Sequence, residues 1–141
     1  MELAITRILN APRELVWEVW TNPKHIAQWW GPIGFTNTIH DMDVRPGGEW
    51  NFIMHGPDGR DYPNRIVFNK IVKPALITYT HTVYPRFDGV VTFKKYGNKT
   101  KLSMVITFAT ETEYRFAVDR DGAKEGLTQT FGRLKHYVEN T

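Results

Sequence analysis

Along residues 110–141, apolar side chains recur at helical spacing at Phe116, Ala123, Leu127, Phe131, Leu134 and Val138, with Tyr114 and Tyr137 on the flanks. The charged residues Arg115, Arg120, Lys124, Arg133 and Lys135 fall mostly off that stripe, as on a helix that lays one face on a partner. Thr110 followed by Glu113 fits a capping box and predicts the helix start. Gly122 and Gly126 each weaken a helix interior by about 1 kcal/mol relative to Ala. They predict a break or kink near Asp121-Gly122, or else room for something lying against the helix.

Upstream, the period is shorter. Residues 2–9 alternate loosely through Leu3 and Ile5 and stop at Asn10-Ala11-Pro12, which predicts a first strand followed by a helix start. Leu15, Val16, Val19 and Trp20 give PRELVWEVWTN the spacing of a short amphipathic helix, and KHIAQWW a second short piece closed by Gly31-Pro32. From Phe35 onward FTNTIHDMDV, EWNFIMH, NRIVFNKIV, ALITYTHTV, GVVTFKKY and KLSMVITFA read as strands, with Pro46-Gly47-Gly48 as a tight hairpin turn and Gly56-Pro57-Asp58-Gly59 as the next. The fold class is α+β in one domain, 1–141: a strand, two short helices, five or six further antiparallel strands and a long helix. A curved sheet of six or seven antiparallel strands needs one face covered, and only the C-terminal helix is long enough to cover it. Curvature moves the middle strands away from a straight helix, and small apolar ligands bind in gaps of that kind.

With 41% hydrophobic and 13% aromatic residues the chain is able to pack a core, and the absence of cysteine excludes disulfides, thiolate metal sites and Cys nucleophiles. MELAITRILNAPREL lacks the apolar core of a signal peptide, and no apolar run nears the roughly 18–20 residues that span a bilayer, so a cytoplasmic location and no membrane span are expected. The net charge of +3 comes from cations scattered among acids, which speaks against nucleic-acid binding. No motif pairs a nucleophile with a base, and none forms a phosphate loop. General acid or base work inside a cavity by His55, His81, Asp41 or Tyr79 stays open, as in a cyclase or hydrolase. No cofactor is implied, and His40 with His55 lacks the third ligand a metal needs.

Four pieces together carry a resemblance: APRELVWEVWTNPKHIAQWWGP, DVRPGGEWNFIMHGPDG, TKLSMVITFA and GAKEGLTQTFGRLKHYVEN. The chain resembles the family named for the activator of the heat-shock protein 90 ATPase, within the helix-grip superfamily that includes the birch-pollen allergen and the START domains. The resemblance implies a helix-grip fold, the curved sheet wrapped around the C-terminal helix. It also implies one of several roles known among relatives, which include a cochaperone domain with a link to the stress response, cyclases, lipid and hormone carriers and an antibiotic-sequestering protein. The cochaperone's separate chaperone-binding domain has no counterpart expected in 141 residues.

The residues suggest a cavity binding a small hydrophobic molecule. Its candidate lining is Phe116, Leu127 and Phe131 from the helix, Trp50, Phe52, Met54, Phe68, Tyr79 and Met104 from the strands, and Trp30 at one end. Trp29-Trp30 either gate a ligand or plug the end of the sandwich. With Gly47-Gly48 as a two-residue turn, Arg45 faces Trp50, Asp43 faces Phe52, Asp41 faces Met54 and His40 faces His55. Asp41, Arg45 and His55 are then either a polar handle in the cavity or a solvated edge. A protein-interaction module with an exposed patch is the alternative, as monomer or homodimer.

Overall fold

In the computed structural model, which describes residues 1–141, one antiparallel sheet carries most of the chain. Its strands are β1 (Glu2–Leu9), β2 (Thr36–Met42), β3 (Glu49–His55), β4 (Asp61–Val72), β5 (Leu76–His81), β6 (Phe87–Tyr96) and β7 (Lys99–Phe108). Their spatial order is β1-β7-β6-β5-β4-β3-β2, so β2 to β7 follow one another by hairpins and only β1 crosses to pair with β7. Helices α1 (Arg13–Thr21) and α2 (Pro23–Ile26) occupy the β1–β2 connection. The chain ends in α3 (Glu111–Arg115), a π-helical turn (Phe116–Arg120) and α4 (Ala123–Glu139).

Alternation decides which face is covered. Trp50 and Phe52 on β3, Ile66 and Phe68 on β4, and Ile77 and Tyr79 on β5 are all buried, while their sequence neighbours are half-buried or exposed. The helices lie over this concave inner face. Trp17 and Trp20 of α1 meet Phe93 of β6 edge-on at 5.1 and 5.8 Å, and Trp20 meets Phe131 of α4 at 6.3 Å, so one continuous apolar core joins sheet and helices.

The C-terminal segment breaks where its glycines predict. Gly122 adopts φ +65°, a left-handed conformation that ends the π-helical turn and starts α4. The capping box forms by half: Thr110 Oγ1 accepts the Glu113 N–H at 3.1 Å, but the Glu113 carboxylate takes the N–H and guanidinium of Arg86. Gly126 makes room for the loop after α2, since a Cβ there would meet Pro32 at 3.3 Å.

The first hairpin differs from its expected register. Met42 pairs with Trp50, Asp41 with Asn51, Ile39 with Phe52, Asn37 with Met54 and Thr36 with His55, with a bulge between Ile39 and Asp41. The connection is a six-residue loop, because Gly47 N–H donates to Phe68 O at 2.8 Å and Phe68 N–H to Gly48 O at 2.9 Å. The turn forms where the glycines predict, with Gly48 N–H donating to Arg45 O at 2.8 Å and Gly47 at φ +80°, but it sits in a loop tied to β4 instead of closing a two-residue hairpin. A Cβ at Gly48 would overlap the Asp43 carbonyl, so the loop tolerates no side chain there. Strand β4 also starts earlier than NRIVFNKIV suggests and passes through Pro63, opposite Ile53.

Candidate functional site

Strand register assembles the middle of the concave face. Trp50, Ile66 and His81 form one row across β3, β4 and β5, and Phe68 and Tyr79 form the next. Trp50 stacks on Phe52 with ring centroids 4.1 Å apart, and Trp30 closes edge-on over Trp50 at 5.0 Å. Tyr79 lies flat over Gly89 of β6, where any Cβ would overlap its ring.

Four buried side-chain polar atoms find no partner in the protein: Arg13 Nε, Asn37 Oδ1, Trp50 Nε1 and Tyr79 Oη. Asn37 still uses its amide nitrogen, which donates to Trp30 O at 2.8 Å, and Arg13 reaches Phe93 O through Nη1. Trp50 and Tyr79 each own a single polar atom, and it is unmet. A buried hydroxyl or N–H without a partner costs about 1–3 kcal/mol. Burial also pushes the Tyr79 phenol well above its ordinary pKa, which keeps it a neutral hydroxyl.

His81 adds a buried polar group to the same rows. Its ring stacks on Phe87 at 4.6 Å, its Nδ1 donates to Pro85 O at 3.0 Å, and its Nε2 lies 2.6 Å from Asn64 Oδ1. Burial pushes its pKa down. A neutral ring protonated on Nδ1 must accept at Nε2, which requires the Asn64 amide nitrogen to turn toward it and leave Tyr62 O. An imidazolium satisfies the network as it stands. Burial and hydrogen bonding therefore oppose each other at this side chain.

Of the expected cavity residues, Trp50, Phe52, Phe68, Tyr79, Met104 and Phe131 are buried in the core, and Trp30, Met54 and Leu127 pack half-buried against it. Phe116 lies off centre on the π-helical turn, between Tyr84 at 5.0 Å and the Arg120 guanidinium at 5.2 Å. The polar candidates lie elsewhere. Asp41 is exposed and accepts from Asn51 Nδ2, Arg45 is exposed and paired with Asp43 at 2.7 Å, and His55 faces outward. His55 Nδ1 bonds Asp61 at 2.6 Å and its Nε2 bonds Thr38 Oγ1 at 2.7 Å, a relay on the outer face beside neither of two surface concavities. Those concavities are each about 410 Å3. One lies along α4 beside Gln28, Arg133 and His136, and the other at the β2–β3 loop beside Asp41 and Glu49.

Asn64 escaped the sequence reading, although it sits two positions before Ile66 and so shares its inward parity. Arg133 is a clamp: its guanidinium donates to the carbonyls of Gln28, Gly31 and Pro32 at 2.9–3.2 Å and fixes the WWGP loop on α4.

The family model described as activator of Hsp90 ATPase homolog 1-like protein matches residues 10–139. The chain belongs to the AHSA1 family. Solved structures share the fold of this AHSA1 chain over nearly its whole length. A protein from Arthrobacter aurescens is 20% identical with a TM-score of 0.92, covering 99% of this chain and 87% of its own. One from Mycobacterium smegmatis is 26% identical with a TM-score of 0.85, covering 96% and 88%. An AHSA1-like protein from Aeromonas hydrophila is 22% identical with a TM-score of 0.78, covering 99% and 93%. No curated protein is a detectable sequence relative. No helix of this AHSA1 domain is long and apolar enough to cross a membrane.

Proposed function

We propose that this AHSA1-family domain binds a small apolar or amphipathic molecule between the concave face of its sheet and α4, in the cytoplasm and without covalent chemistry. One observation carries the reading: Tyr79 Oη and Trp50 Nε1 are buried on adjacent rows of that face with no protein partner. Phenylalanine would fill nearly the same volume as Tyr79 without the unmet hydroxyl, so a polar group on a guest gives the tyrosine a purpose. The indole N–H is a donor only, so the guest offers it an acceptor oxygen. Apolar burial at about 25 cal/mol per Å2 supplies the affinity.

Native mass spectrometry of the protein from its own cytosol, followed by solvent extraction, tests this. A released small molecule is expected, with an affinity roughly tenfold lower in Tyr79→Phe. A clean apo mass, with no thermal shift across a panel of apolar ligands, sinks it. The aromatic cluster of Trp20, Trp29 and Trp30 at the α2 end favours a second reading, because a filled interior is what a protein-interaction module needs. The apo outcome moves the assignment there.

A further inference from the structure

The basic character of this chain resides in one hairpin. Lys94, Lys95, Lys99 and Lys101 stand within eight residues, and no acidic residue occurs between Asp88 and Glu111. Of the chain's 18 cations, taking away these four leaves 14 against 15 acids. Asp88 is the hairpin's one acid, so the residues outside β6 and β7 carry 14 cations and 14 acids, and the net +3 belongs to the hairpin.

The β6–β7 register concentrates this charge on one face. Lys94 stands directly opposite Lys101, and Tyr96 opposite Lys99. The alternate positions Phe93, Leu102 and Thr100 are buried, so Lys94, Tyr96, Lys99 and Lys101 all point away from the core. Like charges directly opposed across an antiparallel pair destabilise it. None of the four lysines forms an ion pair. The carboxylate that feels the hairpin is Glu139, which is held chiefly by Lys135 and the Asn10 N–H and only slightly by Lys99.

Exposed apolar groups accompany the charge. Tyr96 at the hairpin tip is 56% exposed, and Ile8, the β1 partner of Lys101, is 37% exposed. Val72, also exposed, lies on the row Val72, Leu76, Thr92, next to the row of Lys94, Lys101 and Ile8. A tyrosine with one wet end at the hairpin tip, with exposed aliphatic side chains one and two rows further in on the same face and lysines between, matches the chemistry of a bilayer interface.

We propose that the β6–β7 hairpin docks this domain on an anionic lipid bilayer. Lys94, Lys99 and Lys101 meet the acidic headgroups while Tyr96 and Ile8 enter the headgroup layer. The charge is all lysine, a hydrated point charge suited to a diffuse surface potential. Arginine, whose fork grips individual phosphates and bases, is absent from the hairpin. A nucleic acid would leave Ile8 and Val72 without a counterpart and offers Tyr96 only one stacking position. The docking is independent of what binds inside the domain.

Co-sedimentation with vesicles of phosphatidylcholine alone, and with about 30% phosphatidylserine, at roughly 0.1 M salt tests the proposal. Binding is expected only to the serine-containing vesicles, falling as salt rises. The double variant K94Q/K101Q should bind about 25-fold more weakly, near fivefold per lysine. Its Tm should stay level or rise, because the opposed charges are gone, so a lost interaction is not lost folding. Tyr96→Ser should weaken binding without changing its salt dependence. The proposal is overturned by equal binding to both vesicles, by binding to neither, by undiminished binding of K94Q/K101Q, or by tighter binding to duplex DNA or RNA than to vesicles at the same salt.

Discussion

Trp29 and Trp50 are both 2% exposed or less under the same helices, and only Trp29 finds a partner for its indole N–H. Trp29 Nε1 donates to Val19 O at 3.1 Å, within a region where Arg133 also clamps loop carbonyls and Thr100 Oγ1 donates to Ala11 O at 2.8 Å. Trp50 shares its part of the sheet with the unmet Tyr79 hydroxyl and the conflicted His81 network. The α1–α2–α4 end is the more finished interior: Trp29, Asn37 and Arg13 each keep at least one hydrogen bond there, although Asn37 Oδ1 and Arg13 Nε stay unmet. The β3–β5 face is equally buried but chemically incomplete, and burial alone would not have separated the two.

If the finished end is structural, truncating it should cost most. Phe131→Ala removes a fully buried ring from α4 and should destabilise the fold by about 3–5 kcal/mol in urea unfolding. A loss under about 1 kcal/mol would show that α4 is only loosely seated on the sheet.

Glu113 is the charged counterpart of that completeness. Its side chain is 2% exposed and accepts from the Arg86 N–H and guanidinium and from Thr110. The Arg86 hydrogen bond, working against burial, lowers its pKa to about 2 from an ordinary 4.5. The folded state therefore binds fewer protons here than the unfolded state between those values. The stabilisation is fully present above about pH 4.5 and is lost as pH falls toward 2. Glu113→Gln should lower Tm by roughly 5–10 °C at neutral pH, and the gap to the native protein should close on acidification. A gap of constant size from pH 7 to 3 would remove the carboxylate from the account.

Gly89→Ala probes the incomplete face. The new methyl overlaps the Tyr79 ring, which must shift, and overpacking of this kind costs about 1–3 kcal/mol. A neutral result would mean that Tyr79 already has space to move into, which would strengthen the case for a guest site.

The sequence reading succeeded where the signal was local. Alternation through Leu3 and Ile5 located β1, the helical stripe located α4, and the glycines located the break at Gly122, while the room at Gly126 is taken by Pro32 of the chain itself. The turn at Pro46-Gly47 was legible, but the register of the first hairpin was not, because that turn sits in a six-residue loop whose Gly47 and Gly48 bond to Phe68, about twenty residues on, and no local turn rule anticipates that tie. The shifted register and bulge turned Asp41 outward beside Asn51, and Arg45 fell in the loop. Tyr79 and His81 share the parity of Ile77 in ALITYTH, so two polar side chains among buried neighbours were readable as inward. Whether they found partners depended on β4 and the β5–β6 loop, which the string does not reveal. The four lysines of 94–101 stand together in the string itself, against the expectation of scattered cations, and only the facing of Lys94 and Lys101 waits for β6 to pair with β7.

Tyr79→Phe gives the smallest stability effect and the one whose sign separates the two regions. At a completed site, deleting a buried hydroxyl leaves its partner unmet and costs stability. Here there is no partner to strand, so the variant should gain about 1 kcal/mol in the ligand-free protein, read as a higher urea midpoint at unchanged m. The same variant should respond less than the native protein to any ligand that stabilises the fold. A native tyrosine that lowers the stability of the empty domain and raises its response to a guest is serving binding. If Tyr79→Phe instead destabilises by more than about 1 kcal/mol, the hydroxyl has a partner within the fold, and the contrast with Trp29 dissolves.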